Sequence, residues 1–334
     1  MSPDFKWILG FHHLMSITKN ELVDDLYKIL TSSIANTRFF SARSKGFKAE
    51  LEYAAKMKSD GDDVLDAGQF IVSKKDSDEN PENFIFYMTV SSDDKSKYDG
   101  LYDLISNLSE MRGMFFIEVG DVSEWNTRKI TTKEGVTTNN IQVNIAGPKL
   151  SVFRYDCGQW ISSGFDEIKE MLVKKSSERI AKNKENLLGY LPAYDLKELV
   201  NVYCNRFVLD VELGEYNKGM MDFDHIVIEN GIYVAVETKE KDPIGKRDFP
   251  DDERQWHFGW DSRRIGWYMH LKMEIGLDTR YVIREINNQT DREFVKWKKI
   301  DMSRFRKCAS WLAERAGGGG SGTISAPYNA FVNI

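Results

Sequence analysis

Cysteine is scarce: Cys157, Cys204 and Cys308 are the three in 334 residues, and they are scattered. An odd, dispersed set with no Cys-x-x-Cys pair and no Cys/His ligand spacing argues against a disulfide framework and a structural zinc site. It suits a reducing cytoplasm. No apolar stretch approaches the roughly 18–20 residues needed to span a bilayer, so no membrane helix is expected. The opening MSPDFKWILGFHHLMSITKNE lacks the basic leader and small-residue cleavage site of a signal peptide. No Walker-type GxxxxGK(S/T) occurs, which excludes an ATP-driven motor of that kind, and GxSxG and HExxH are absent too. No internal repeat with a period of about 20–50 residues is visible.

What remains is a soluble globular composition, 41% apolar and 29% charged, long enough for one large domain or two ordinary ones. The net charge is −6, but it is uneven. Residues 60–99 carry eleven acids against four lysines, a local balance of −7, which leaves the remainder near +1. An acidic segment can coexist with a basic groove elsewhere, so the sum neither supports nor excludes a nucleic-acid partner.

Leu22, Leu26, Ile29 and Leu30 predict a helix over 20–36. The stretch RFFSARSKGFK interleaves Arg38, Arg43, Lys45 and Lys48 with phenylalanines. That composition suits a nucleic-acid clamp, and equally suits buried rings beside solvated cations. Helices are expected at 50–58 and 98–109, strands at 69–73, 84–90 and 114–119, and a hairpin within 126–147. Beyond about Lys149, helices are expected at 165–182 and at 195–207, the latter capped by Asp195. Further on come a helix over 261–275 ending at Gly276, strands at 280–286 and 294–297, and a basic helix over 303–315. GGGGSG at 317–322 reads as a flexible loop or linker, and the tail TISAPYNAFVNI is apolar enough to dock. The expected division is an N-terminal α+β region (1–150) for DNA recognition or dimer contacts, a catalytic domain (151–316), and the linker with its tail (317–334).

The sharpest local signal is FDHIVI, then Glu229-Asn230-Gly231, then IYVAVETKEK. Asn-Gly tolerates the positive φ of a type I′ turn, so this reads as a β-hairpin. With Asn230 and Gly231 in the turn, Glu229 pairs with Ile232. Counting outward then sets Asp224 opposite Glu237 and Asp222 opposite Lys239. Glu237 and Lys239 share a face, because side chains alternate along a strand. Two carboxylates and an ammonium thus converge at the open end of an apolar hairpin. Adjacent carboxylates repel, and a divalent cation removes that conflict. Mg²⁺ prefers oxygen ligands and keeps several waters. Lys239 beside it would position or help deprotonate the attacking water. The competing reading is a surface hairpin on which Glu237, Lys239, Glu240 and Lys241 form a solvated charge ladder.

Asp224, twelve residues, and then Glu237-Thr238-Lys239 resembles the PD-(D/E)XK nuclease superfamily, which includes many type II restriction endonucleases. The resemblance implies an α/β (α+β) core of order αβββαβ with a mixed sheet, covering about residues 190–300, in which helix 195–207 comes first. It implies Asp224, Glu237 and Lys239 as the catalytic centre and Mg²⁺ held by Asp224 and Glu237. Where the family often has Pro-Asp, this chain has Met221-Asp222-Phe223-Asp224, so Asp222 is an alternative ligand. Family members often add an acid from the preceding helix. Glu198 is the candidate here, with Glu212 and Glu215 nearby. A Gln-x-x-x-Tyr element found in some members is missing, since Gln255 is followed by Trp256-His257-Phe258-Gly259. Arg254, Arg263 and Arg264, just after the catalytic strand, are candidate DNA contacts, or the charged face of a helix with an aromatic core side. The activity implied is Mg²⁺-dependent, site-specific cleavage of double-stranded DNA by a homodimer. The alternatives are a repair or recombination nuclease on the same core and a non-catalytic DNA-binding protein.

Overall fold

Asn230 and Gly231 adopt φ of 52° and 78°, as a type I′ turn requires. A computed structural model of the chain describes residues 17–33, 37–73, 83–91, 94–133, 140–174, 187–216, 221–314 and 322–334. Helices α1 (Lys19–Ser33) and α2 (Thr37–Asp60) come first, followed by strand β1 (Asp63–Leu65). A long excursion then supplies β2 (Gly68–Val72), β3 (Phe84–Val90), α3 (Asp99–Ser106) and β4 (Met111–Val119). It continues through β5 (Asn126–Lys133), β6 (Asn140–Gly147), β7 (Leu150–Asp156), β8 (Gln159–Ser163), α4 (Phe165–Met171) and α5 (Leu196–Phe207). Strand β9 (Met221–Phe223) leads into the hairpin of β10 (His225–Glu229) and β11 (Ile232–Lys241). Then follow β12 (His257–Asp261), α6 (Ser262–Ile275), β13 (Asp278–Ile286), β14 (Phe294–Asp301) and α7 (Met302–Cys308). The chain finishes with β15 (Ser310–Glu314), β16 (Thr323–Pro327) and β17 (Val332–Asn333).

The first six-stranded sheet has the order β1-β10-β11-β13-β14-β17. Only β11 and β13 run parallel within it, because α6 crosses over between them. The second has the order β8-β7-β4-β3-β2-β9, and a three-stranded sheet follows β12-β16-β15. Both large sheets draw strands from before and after residue 150. Alternation along the hairpin decides what each face packs on. Val227 and Val236 lie against Tyr53 and Met57 of α2, whereas Ile226 and Ala235 join a large core with Phe70, Phe86, Phe223 and Trp267. Among the described residues no helix is long and apolar enough to cross a membrane.

Several expected elements differ. Residues 50–58 are the second half of α2, so the basic-aromatic stretch 38–48 is helix too. The helix expected over 165–182 ends at Met171, where Leu172 is drawn into a bridge with Ser73, and 175–186 lie outside the described residues. The last helix stops at Cys308 because Ser310 pairs with Ser325 and begins a strand. Asp195 sits at the start of α5 but makes no side-chain cap bond. Asp261 does cap α6, accepting from the N–H groups of Arg263 and Arg264, and Gly276 ends it at φ 74°. The tail docks as β16 and β17, burying Tyr328 and Phe331. Of the glycine-rich stretch, 317–321 lie outside the described residues.

Candidate active site

The hairpin ladder follows the turn from Glu229 opposite Ile232 to His225 opposite Val236. One residue further it breaks. Asp224 donates its N–H to Val236 O at 2.9 Å, and its Oδ2 accepts from the Thr238 N–H at 2.7 Å. A side chain thus continues the pairing where the backbone turns away. β9 crosses to the second sheet, where Asp222 lies opposite Gln69. The expected pairing of Asp222 with Lys239 is therefore not formed, because Asp224 is the crossing point between two sheets.

The three expected catalytic side chains do meet. Lys239 Nζ lies 2.6 Å from Glu237 Oε1 and 3.6 Å from Asp224 Oδ2. Glu237 is fully buried. Its oxygens also take hydrogen bonds from Arg264 Nη1, at 2.8 Å each, and from the Tyr268 hydroxyl at 2.9 Å. Arg264 Nη2 reaches Asp222 Oδ1 at 2.6 Å, and Arg43 of α2 stands 3.9 Å from the same carboxylate. A cavity of about 120 Å³ opens beside these groups, with Arg43 and Glu50 on α2, Glu198 on α5, and Asp222, Asp224 and His225 in its wall.

Charge is crowded here. Burial is the main cause that pushes the Asp224 carboxyl up to about 8; Lys239 opposes the shift, while Glu50, Glu237 and Asp222 add to it. Burial likewise raises Glu50, against the pull of Lys239 and Arg43. Asp222 goes the other way: burial disfavours its charge, but Arg264, Arg43 and Lys239 outweigh it and hold the carboxyl well below the usual range. Burial also works against the Lys239 ammonium, yet Asp224 and Glu237 raise its pKa. Two strands' steps along the same face, Lys241 is pushed down to about 8 by burial and by Lys239, with its ammonium donating to Gly259 O.

Among the described residues no three His, Cys, Asp or Glu side chains form a ready-made metal cage. The donors present nonetheless suit a hard cation. Asp224 is buried and Glu50 half-buried, both carboxyls are raised by burial despite the nearby cations, and Mg²⁺ needs only one or two carboxylates plus water.

The other expected residues are dispersed. Arg264 is not an open DNA contact, since its guanidinium is engaged by Asp222 and Glu237. Arg254 is exposed and folds back on Asp252 at 2.7 Å, and Arg263 is exposed. Lys45 is partly exposed, Lys48 stands 3.9 Å from Glu52, and the side chain of Arg38 lies outside the described residues. Glu198 lines the cavity, but its charge acts on Tyr194. Glu212 pairs with Arg128 and Lys169 at 3.6 and 3.7 Å, and Glu215 pairs with Lys174 at 2.7 Å. Glu50 of α2 lines the same cavity as Asp222 and Asp224, and sequence reasoning did not single it out, nor Tyr268 beside Glu237. The signal for Glu50 exists: Arg43, Phe47, Glu50 and Ala54 recur at helical spacing, and all four line the cavity.

No protein-family profile matches the chain, and no curated protein does either. Among solved structures, it is similar to Hjc, a Holliday junction resolvase from the archaeal hyperthermophile Archaeoglobus fulgidus. The identity is 8% and the TM-score 0.20, over 32% of this chain and 64% of that chain, which is under two thirds of its length.

Proposed function

We propose that the protein is a Mg²⁺-dependent DNA endonuclease of the PD-(D/E)XK type, with Asp224, Glu237 and Lys239 at its centre. One observation carries this reading: Lys239 Nζ sits between Glu237 at 2.6 Å and Asp224 at 3.6 Å, at the open end of the β10–β11 hairpin. The surrounding order supports it. Helix α2, strands β1, β10 and β11, helix α6 and strand β13 form an αβββαβ series in which the third and fourth strands are parallel neighbours. On this reading the core begins with α2, not with the helix at 195–207, and residues 66–224 are inserted between its first two strands.

Asp224 and Glu237 would hold the metal with water completing its shell, Glu50 lining the adjoining cavity; when bound it would polarise a scissile phosphate and lower the pKa of a coordinated water. Lys239, kept cationic by its two carboxylate neighbours, offsets the negative charge that grows on the phosphate during attack. The Asp224 N–H on Val236 O and the Thr238 N–H on its carboxylate would hold this ligand in place. Within this class we favour a type II, site-specific cutter of double-stranded DNA acting as a homodimer. That preference rests on the motif resemblance and on the size of the insertion.

The test is cleavage of several sequenced DNAs in Mg²⁺. Glu237→Ala and Lys239→Ala should each lower cleavage by about 10²-fold or more, the scale of losing one preorganised charge-stabilising group. DNA binding should survive Lys239→Ala. Unchanged cleavage in both variants would sink the nuclease reading. Discrete fragments support site-specific cutting, and a smear supports a general repair or recombination nuclease.

A further inference from the structure

A carboxylate offers about four acceptor positions, two on each oxygen. On Glu237 both oxygens are engaged: Arg264 Nη1 bridges Oε1 and Oε2, Lys239 Nζ forms an ion pair with Oε1, and the Tyr268 hydroxyl, whose one proton is shared with Asp222 O, lies against Oε2. A metal ion at Glu237 would compete with these neighbours for its oxygens. Lys239 is committed to the same two acids that the reaction needs, and Tyr268 is wholly buried and also donates to Asp222 O at 2.6 Å. Arg264 is the donor able to leave. It stands on the first turn of α6 with its side chain 23% exposed, and its backbone N–H is held by the Asp261 cap, independent of the guanidinium. Asp222, its second partner, keeps Arg43 at 3.9 Å when Arg264 turns away.

We propose that Arg264 is a resident counter-cation on Glu237 that competes with the metal, and that a DNA backbone phosphate is what draws it off. This rests on the nuclease reading above. Arg264 then positions the substrate through its phosphate while freeing Glu237, so the metal and DNA assist each other's binding. By linkage the factor is the same in both directions. Guanidinium suits the exchange, because its planar fork matches carboxylate and phosphate alike. The apparent conflict between an arginine following the catalytic strand and an arginine engaged by acids disappears, since both describe one side chain before and after substrate arrives.

The experiment uses the full chain with two separate titrations. Mn²⁺ binding is followed by the electron paramagnetic resonance of the free ion, without DNA. Binding of a mixed-sequence duplex is followed by anisotropy in EDTA, where no cleavage occurs. For Arg264→Gln, Mn²⁺ should bind about tenfold tighter than to the unaltered protein, while DNA binds about tenfold weaker, each factor of ten being about 1.4 kcal/mol. Arg264→Lys keeps the charge but cannot span both acids, so its Mn²⁺ affinity should fall between the two. Thermal unfolding in EDTA confirms that each variant is folded, and the lysine variant serves if the glutamine variant is not. A merely structural arginine would give weaker Mn²⁺ and weaker DNA binding together. That result, or Mn²⁺ binding no tighter than in the unaltered protein, overturns the inference. If the unaltered protein still cuts DNA, the inference alone has failed; if it does not cut, the nuclease reading has failed.

Discussion

Asp224 is the residue whose chemistry is least at ease in the folded protein. Its carboxyl, raised to about 8 chiefly by burial, keeps a proton across a range in which the unfolded chain gives it up. The sign follows directly: the folded state binds more protons between about pH 4 and 8, so this group's contribution to stability is lost as pH rises through that window. Asp224→Asn mimics the protonated form. We expect the variant to match the unaltered protein in urea unfolding at about pH 5. At about pH 8.5 it should be more stable by about 1–3 kcal/mol, the cost of an ill-satisfied buried polar group. Its cleavage should be abolished, and equal stability of the two proteins at the higher pH would refute the assignment. The meeting of Asp224, Glu237 and Lys239 was legible in the sequence because Asn230-Gly231 sets a register of five residue pairs that ends one residue short of them. Asp222 was misplaced for the same reason: counting along a ladder cannot reveal that the ladder ends. Arg264 and Tyr268 reach Glu237 from α6, a contact made in three dimensions that no local spacing encodes.

At the scale of elements, the site depends on how β9 is seated. Gly68 of β2 lies opposite Phe223, and a Cβ there would stand 2.3 Å from the Phe223 ring and 2.8 Å from that of Phe86. Phe223 separates Asp222 from Asp224, so a displacement of its ring moves both acids. Gly68→Ala should cost about 1–3 kcal/mol, as overpacking does, and should lower cleavage well below the unfolding midpoint. Gly266 of α6 supplies the control: it has open space around its Cβ position, and Gly266→Ala should stabilise by about 0.5–1 kcal/mol with cleavage retained. Thermal melts and cleavage rates on both variants check the pair. The helices and strands themselves were mostly legible, but the role of α2 was not. Its partner strand β1 is three residues long, and residues 66–224 intervene before β10. A helix and hairpin so far apart give no sequence cue that they pack together, whereas α5 lies much nearer the hairpin in sequence.

For the whole molecule, net charge does not predict DNA affinity, since the acids of residues 60–99 offset basic side chains elsewhere. Binding in EDTA should still weaken steadily with salt, the logarithm of affinity falling in proportion to the logarithm of salt concentration. Sedimentation with a duplex is expected to show twice the 38.6 kDa chain on one DNA, and a single copy would count against paired cutting of both strands. The inserted region bears on a different matter, whether the protein can be trimmed. Leu65 and Ile226 are neighbours across the β1–β10 ladder, so the chain leaves and re-enters the first sheet at positions about 5 Å apart. Connectivity alone would let a short turn replace everything between them. Packing forbids it, because Phe70, Phe86 and Phe223 share one core with Ile226, Ala235 and Trp267, and the excised segment would take Asp222 and Asp224 with it. The segment between Leu65 and Ile226 shares its core with the first sheet, and a minimal version of this protein made by deleting it should not fold.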